Sequence, residues 1–121
     1  MDYFKDDEFY CKCTRATCDA KGNPPDPLLR IKLNELRHAL NKPIIINSGW
    51  RCREHNAASG GTIESEHLTG GGVDISCTNS SDRWFIVRCA FEVGFTRIGI
   101  AKSFVHVGVD ASKPQRVVWL Y

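Results

Sequence analysis

The sequence has 121 residues, of which 42% are hydrophobic and 25% are charged, and its formal net charge is +2. These values are typical of one soluble globular domain that is large enough to bury its own core. The charge is too small to indicate a nucleic acid partner, and no apolar run approaches the roughly 20 residues that span a membrane. The first residues have neither a basic start nor an apolar segment, so we expect synthesis in the cytoplasm without a signal peptide.

Residues 1–25 carry few apolar side chains and hold three cysteines, Cys11, Cys13 and Cys18. Three thiols this close together are compatible with a structural zinc ion, but the CxC spacing is unusual and the sequence shows no fourth ligand. A disulfide or reduced thiols are therefore the favoured interpretation. Glycine and paired prolines at residues 22–25 end this N-terminal arm.

The remaining residues, 26–121, are predicted to form the domain. Its first helix begins at Asp26, which can accept hydrogen bonds from free backbone amides just ahead of a proline. Leucines recur at steps of four, three and four, which places them on one helix face: Leu29, Leu33, Leu36 and Leu40. Pro43 ends the helix, and residues 44–46 are predicted to form a short strand.

A second long helix is predicted between capping residues 79–82 and Gly94. Its apolar residues are Trp84, Val87 and Phe91 on one face, with Ile86, Cys89 and Ala90 beside them. Cys77 and Cys89 are interpreted as small core residues, because reduced cysteine packs as a small hydrophobe. Three further segments alternate like strands, and the short link between the first two predicts a hairpin: residues 96–101, 104–109 and 117–120.

Residues 65–74 bring together a histidine, His67, and a carboxylate, Asp74, with three glycines between them. A second histidine, His106, lies within an apolar strand. Side chains alternate across a strand, so buried valines on either side send His106 to the opposite face of the sheet. The same alternation sends Asp74 to that face, and the glycine-rich loop allows His67 to fold over it.

Two imidazoles and one carboxylate are three ligands, which leaves a tetrahedral zinc ion with one open position. The residues alone leave an alternative open, in which His67 is a loop histidine and His106 an unpaired strand histidine. We predict an α+β domain with a mainly antiparallel sheet of four or five strands. Helices are expected on one face of the sheet, and a zinc cleft on the other.

Three motifs occur in order: SGWR at residues 48–51 followed by HN at 55–56, SEHLTGGGVD at 65–74, and FVHV at 104–107. In these motifs the chain resembles the zinc D-alanyl-D-alanine carboxypeptidase and murein endopeptidase family, in its small phage-type form, which is related to the hedgehog signalling fold. The corresponding family patterns are SGYR with a following HN, SxHxxGxAxD, and phenylalanine–aliphatic–histidine–aliphatic. The resemblance covers residues 27–110.

The resemblance implies one catalytic zinc ion held by His67, Asp74 and His106. It also implies that Arg51 binds a carboxylate of the substrate, which guanidinium does through two parallel hydrogen bonds, and that Ser65 orients the peptide. The alternative for Arg51 is a surface salt bridge.

The implied function is that of a zinc metallopeptidase. It would cleave peptidoglycan stem peptides next to D-amino acids, as an endolysin-like D,D-carboxypeptidase or endopeptidase. The expected protein is a monomer that acts on the cell wall or in the periplasm, phage-encoded or virion-associated, without nucleic acid and without membrane insertion.

Several positions depart from the family pattern. Gly72 replaces alanine, Gly108 replaces an acidic residue, Phe104 stands where some members have a histidine, and Ser103 stands where related enzymes place a glutamate as general base. The general base is therefore left unassigned among three acids: Glu64, Glu66 and Asp110. This gap keeps open a non-catalytic zinc domain that binds wall peptide or a partner protein. A second alternative is an L-alanyl-D-glutamate endopeptidase.

Overall fold

A computed structural model describes residues 1–13, 18, 22–62 and 65–121. The described helices are α1 (Pro27–Leu40), α2 (Arg53–Ala58) and α3 (Ser80–Glu92), with short 3-10 turns at Asp6–Phe9 and Glu66–Leu68. The described strands are β1 (Ile46–Ser48), β2 (Gly72–Ser76), β3 (Arg97–Ile100), β4 (Phe104–Gly108) and β5 (Val117–Leu120). No helix among the described residues is both long enough and apolar enough to cross a membrane.

The five strands form one sheet in the order β1-β2-β4-β3-β5. Every neighbouring pair is antiparallel except β3 and β5, which are parallel. The sheet confirms the predicted α+β class with a mainly antiparallel sheet, and it confirms the hairpin of β3 and β4. The parallel pairing of β5 places the last strand beside β3, at the edge of the sheet.

The hydrophobic core lies between one face of the sheet and helices α1 and α3. Asp26 caps α1 through a hydrogen bond from the Leu28 amide, as its sequence predicted. The fully buried residues of this core include Leu29, Leu33 and Leu36 from α1 and Val73, Ile75, Ile98, Val105 and Val107 from the strands. Each such side chain contributes roughly 1.5–3 kcal/mol by leaving water. Cys77 and Cys89 lie in the same core, as predicted.

Helix α3 buries a different stripe from the one that its large residues indicated. Ile86, Cys89 and Ala90 face the core, whereas Trp84 and Phe91 are 57% and 55% exposed. The small side chains at positions 89 and 90 let the helix approach its neighbours closely, and the bulky aromatic rings are left on the outer flank.

The strand predicted at residues 44–46 also needs correction, since β1 begins only at Ile46. Ile44 and Ile46 are buried while Ile45 is 65% exposed, so burial alternates along this segment although only Ile46 is paired in the sheet.

The described part of the N-terminal arm packs against the rest of the chain. Phe4 and Phe9 belong to the main core. Arg30 of α1 holds this segment through ion pairs with Asp2 and Asp6, at 2.9 and 2.6 Å. The Trp50 amide donates a hydrogen bond to the Phe9 carbonyl at 3.0 Å. The division of the chain at residue 25 stays a prediction.

Candidate metal centre

A row of paired residues crosses four strands on the face of the sheet that is turned away from the core. Asp74 on β2 is paired with His106 on β4, which is paired with Gly99 on β3, which in turn is paired with Trp119 on β5. The residues on either side of them in β2 and β4 are buried in the core. The alternation predicted from sequence is therefore correct. Asp74 and His106 share the face opposite the helices.

The two histidines and Asp74 meet at one point. His67 Nε2 lies 3.1 Å from Asp74 Oδ1, and His106 Nδ1 lies 2.9 Å from the same oxygen. One ligand atom from each of the three residues lies within 4.8 Å of the others, and all three residues are buried. The structure thus brings together the three residues that the sequence proposed, and neither histidine is isolated.

The second nitrogen of each imidazole is held from outside this cluster. His67 Nδ1 donates a hydrogen bond to the Gly49 carbonyl at 2.7 Å, because a carbonyl oxygen can only accept. His106 Nε2 lies 2.8 Å from Glu66 Oε1. Each ring is therefore fixed through one nitrogen, while the other nitrogen points toward Asp74. Histidines that bind metals are typically oriented in this way.

Local sequence explains how His67 reaches this position. The Ser65 hydroxyl caps the short turn Glu66–Leu68 by accepting a hydrogen bond from the His67 amide at 3.2 Å. Gly70 follows with a φ of +76°, a backbone conformation that residues with a side chain rarely adopt. The Trp50 ring occupies the space that a Cβ atom at Gly70 would need. Ser65 also lines the pocket described below, and its role toward a substrate stays a prediction.

Glu66 orients His106 from the side opposite Asp74. Its carboxylate is buried and accepts a hydrogen bond from the Asp110 amide at 3.1 Å. It also forms an ion pair with Arg97, whose Nε lies 3.0 Å away but is not aligned for a hydrogen bond. Burial alone would raise the pKa of Glu66. The hydrogen bond and charge of His106, with smaller contributions from Asp110 and Arg97, hold this pKa below its ordinary value. Glu66 is therefore an ionised acceptor behind the imidazole.

Two departures from the family pattern are explained by close packing against Glu66 and His106. A Cβ atom at Gly108 would collide with the Glu66 carboxylate. A Cβ atom at Gly72 would lie 2.6 Å from His106 Cε1 and 2.9 Å from Glu66 Cβ. Glu66 thus fills the space next to Gly108, where the family pattern has an acidic side chain. The sequence does not show that the two glycines are related, because they face Glu66 and His106 only once β2 and β4 have paired.

Arg51 lies at the site, not on the open surface. Its Nη2 donates to Asp74 Oδ2 at 2.9 Å, its Nε donates to Ser48 Oγ at 2.9 Å, and its Nη1 donates to Asn56 Oδ1 at 3.2 Å. Only 11% of the Arg51 side chain is exposed, so Arg51 forms a salt bridge as the alternative had it, but with the buried Asp74 and not at the surface. Asn56 braces this loop, since its amide nitrogen also donates to the Thr62 carbonyl at 2.7 Å.

Asp74 is ionised because its partners outweigh its burial. Burial raises the pKa of Asp74, but hydrogen bonds and charge interactions with His106 and His67 hold that pKa well below its ordinary value. Its Oδ1 faces both imidazoles, while Oδ2 is fixed by Arg51. Asp74 therefore offers one anionic oxygen at the point where the histidines converge.

A pocket of about 550 Å³ opens above this cluster. Its lining includes Arg51, Ser65, Arg97, Phe104, Trp119 and Tyr121. Among the described residues that line it, the carboxylates are Glu66 and Asp74, and both have the partners given above. Asp110 instead accepts hydrogen bonds from Ser112 in its own turn and does not line the pocket. Glu64 lies outside the described residues, so the general base stays unassigned.

Comparison with known proteins places these observations in a family. No curated protein matches the chain. The sequence profile of the Peptidase M15 family matches residues 2–110, which is most of the chain and includes all three motifs. The chain therefore belongs to the Peptidase M15 family, of the zinc D-Ala-D-Ala carboxypeptidase type.

Proposed function

We propose that the protein is a zinc-dependent peptidase that cleaves peptidoglycan stem peptides next to D-amino acids, as a D,D-carboxypeptidase or endopeptidase. The convergence of His67, Asp74 and His106 beside a peptide-sized pocket is the observation that carries the proposal. Membership of the Peptidase M15 family supports peptidase chemistry. The choice of wall peptide as substrate rests on the resemblance of the three motifs.

The three residues fit a single zinc ion by donor chemistry. Two imidazole nitrogens and one carboxylate oxygen are a typical catalytic set, and they leave one position of the tetrahedron open. The remaining nitrogen of each ring already has an acceptor, the Gly49 carbonyl or Glu66. When bound, zinc would polarise the scissile carbonyl and lower the pKa of a bound water to about 7.

Arg51 retains the donors that a carboxylate needs. A guanidinium group has five N–H donors, and the three hydrogen bonds to Ser48, Asn56 and Asp74 use one on each nitrogen. Among the described residues, one N–H on each terminal nitrogen is therefore left without a partner, so the guanidinium keeps two donors for a substrate carboxylate. The existing bonds hold the guanidinium plane still, so Arg51 is well placed to orient the peptide.

One specific observation favours a second candidate function. The described carboxylates that line the pocket are both engaged in holding other groups, and Ser103 stands where related enzymes have a glutamate. A zinc domain that binds wall peptide or a partner protein without cleaving it would have the same ligands and the same arginine.

Incubation of the zinc-loaded protein with purified sacculi separates these functions. We expect soluble peptides to be released, to disappear when zinc is chelated, and to return when zinc is restored. Mass spectrometry would show loss of terminal D-alanine from a carboxypeptidase, cleaved cross-links from a D,D-endopeptidase, or free L-alanyl ends from an L-alanyl-D-glutamate endopeptidase. Failure of zinc-loaded protein to release any peptide across a broad pH range would overturn the peptidase proposal.

Arg51→Lys is the matched test of substrate binding. Lysine keeps the charge but cannot make two parallel bonds, so we expect KM for wall peptide to rise about tenfold or more while zinc content stays unchanged. An unchanged KM would mean that Arg51 does not bind the substrate.

We also propose that the protein acts on the cell wall and is phage-encoded or virion-associated. This setting requires that the protein release peptides from intact sacculi.

A further inference from the structure

The structure brings a fourth cysteine to the three in the N-terminal arm. Cys11, Cys13 and Cys18 meet Cys52, which lies in the loop between β1 and α2. All four Sγ atoms lie within 4.8 Å of one another. This thiol cluster supplies the fourth ligand that the sequence did not reveal.

The distance between two of the sulfur atoms is the one expected at a tetrahedral metal site. Zinc–sulfur bonds of about 2.3 Å in a tetrahedron place neighbouring sulfur atoms about 3.8 Å apart. Cys13 Sγ and Cys52 Sγ lie 3.8 Å apart. A disulfide would need about 2.0 Å between one pair, and would give no reason for four thiols to meet.

The surroundings of the cluster suit metal-bound thiolates. Cys11 and Cys52 are buried, and the Trp50 ring packs against the group. The Cys52 amide donates a hydrogen bond to Cys11 Sγ at 3.4 Å, and the His55 amide donates one to Cys52 Sγ at 3.4 Å. Such bonds to the ligand atoms orient a metal site and stabilise sulfur in its charged form.

We propose that Cys11, Cys13, Cys18 and Cys52 bind a second zinc ion with a structural role. Four thiolates in a tetrahedral arrangement select zinc or iron, and a mononuclear site that is closed by four protein ligands is typical of structural zinc. This proposal does not depend on the peptidase reaction.

The second zinc ion would fix the loop that supports the candidate active site. Cys52 follows Arg51 directly, and the Arg51 amide donates to the His67 carbonyl at 2.8 Å. Gly49, at the other end of the same loop, accepts the hydrogen bond from His67 Nδ1 at 2.7 Å. A Cβ atom at Gly49 would also lie 2.7 Å from the Phe9 carbonyl, so loop and arm are in close contact. Residues 49–52 are therefore held between the two sites, and metal at the thiol cluster stiffens the support of Arg51 and His67.

Metal analysis of the wild-type protein, purified under reducing conditions from zinc-supplemented cells, is the primary test. We expect two zinc ions per chain, with X-ray absorption showing sulfur neighbours at about 2.3 Å in addition to nitrogen and oxygen. Cobalt substitution should give an intense near-ultraviolet charge-transfer band from thiolate to metal. One zinc ion with no sulfur neighbour would overturn the proposal, as would iron in place of zinc or disulfides within the cluster in the freshly isolated protein.

Paired variants assign each metal ion to its site. Cys18→Ala should lose one zinc ion and the cobalt–thiolate band, while His67→Ala should lose the other zinc ion and keep that band. Cys89→Ala, which changes a core cysteine outside the cluster, should keep both. If the cluster variants fail to fold, the sulfur neighbours and the charge-transfer band of the wild-type protein still decide the question. A Cys18→Ala protein that keeps both metal ions would contradict the assignment.

Discussion

The thiol cluster and the candidate metal centre are two small groups of ligands that differ in number and in access. The thiol cluster has four candidate ligands of one kind, which is the number that a closed tetrahedral site needs. The candidate metal centre has three ligands, His67, Asp74 and His106, and opens onto a pocket of about 550 Å³. With the two proposed assignments, one small chain would separate two uses of a metal ion. A full ligand set holds the chain together, and an incomplete set leaves room for a substrate.

Removing a ligand from the open site should produce the largest effect on function. We expect His67→Ala to lower peptide release by at least about 10³-fold, because a catalytic metal ion contributes several kcal/mol and each 1.4 kcal/mol is tenfold in rate. Kinetics on a soluble wall peptide, together with a far-ultraviolet circular dichroism spectrum, would separate loss of chemistry from loss of fold. Undiminished turnover would mean that catalysis does not use this centre.

Removing a ligand from the thiol cluster should act mainly on stability. We expect Cys52→Ala to lower the free energy of unfolding by several kcal/mol, since binding of a structural metal ion contributes directly to folding. Thermal and denaturant unfolding would measure the loss. Cys77→Ala is the matched control, because it changes a buried cysteine of the main core and should cost only about 1 kcal/mol. Equal losses in the two variants would argue against a metal ion at the cluster.

Glu66→Gln tests whether the open site depends on its outer support. Glutamine keeps the shape of the side chain but removes the charge behind His106, and changes of this kind typically cost about 10–100-fold in metal affinity or activity. Competition with a zinc chelator would measure the affinity. If Glu66 were itself the general base, zinc affinity would stay unchanged while the rate fell, so the two measurements together distinguish the roles.

Gly72→Ala should have the smallest of these effects and should also be confined to the open site. The added methyl group would crowd the His106 ring and Glu66, and for a single methyl group we expect about 1 kcal/mol, the lower end of the usual cost of overpacking. We expect weaker zinc binding at the open site and no change in the metal–sulfur signal. Glu66→Gly removes the Cβ atom that the new methyl group would meet, so Gly72→Ala should cost less zinc affinity in the Glu66→Gly background than in the wild-type protein. An equal cost in both backgrounds would contradict the steric explanation at Glu66.

The elements that depend on local chemistry were predictable from the sequence. Strand alternation placed Asp74 and His106 on one face, and Asp26 and Pro27 marked the start of α1. The contribution of Cys52 was not predictable, because it requires the loop after β1 to lie beside the N-terminal arm. The role of Glu66 was hidden for the same reason, since the space beside Gly108 exists only after β2 and β4 have paired. The exposure of Trp84 and Phe91 likewise depends on which stripe of α3 meets the sheet.

The absence of a side chain at Gly99 places a natural fluorophore, Trp119, beside the candidate metal centre. A side chain at this position would collide with Trp119. Glycine therefore allows the centroid of the indole ring to lie 5.4 Å from the centroid of the His106 ring. Trp119 also belongs to the pocket lining. A protein that retains Trp119 while Trp50 and Trp84 are replaced by phenylalanine would therefore carry an intrinsic fluorophore at the candidate metal centre. Its fluorescence emission would report the binding and release of a metal ion or substrate beside His106, without an added label.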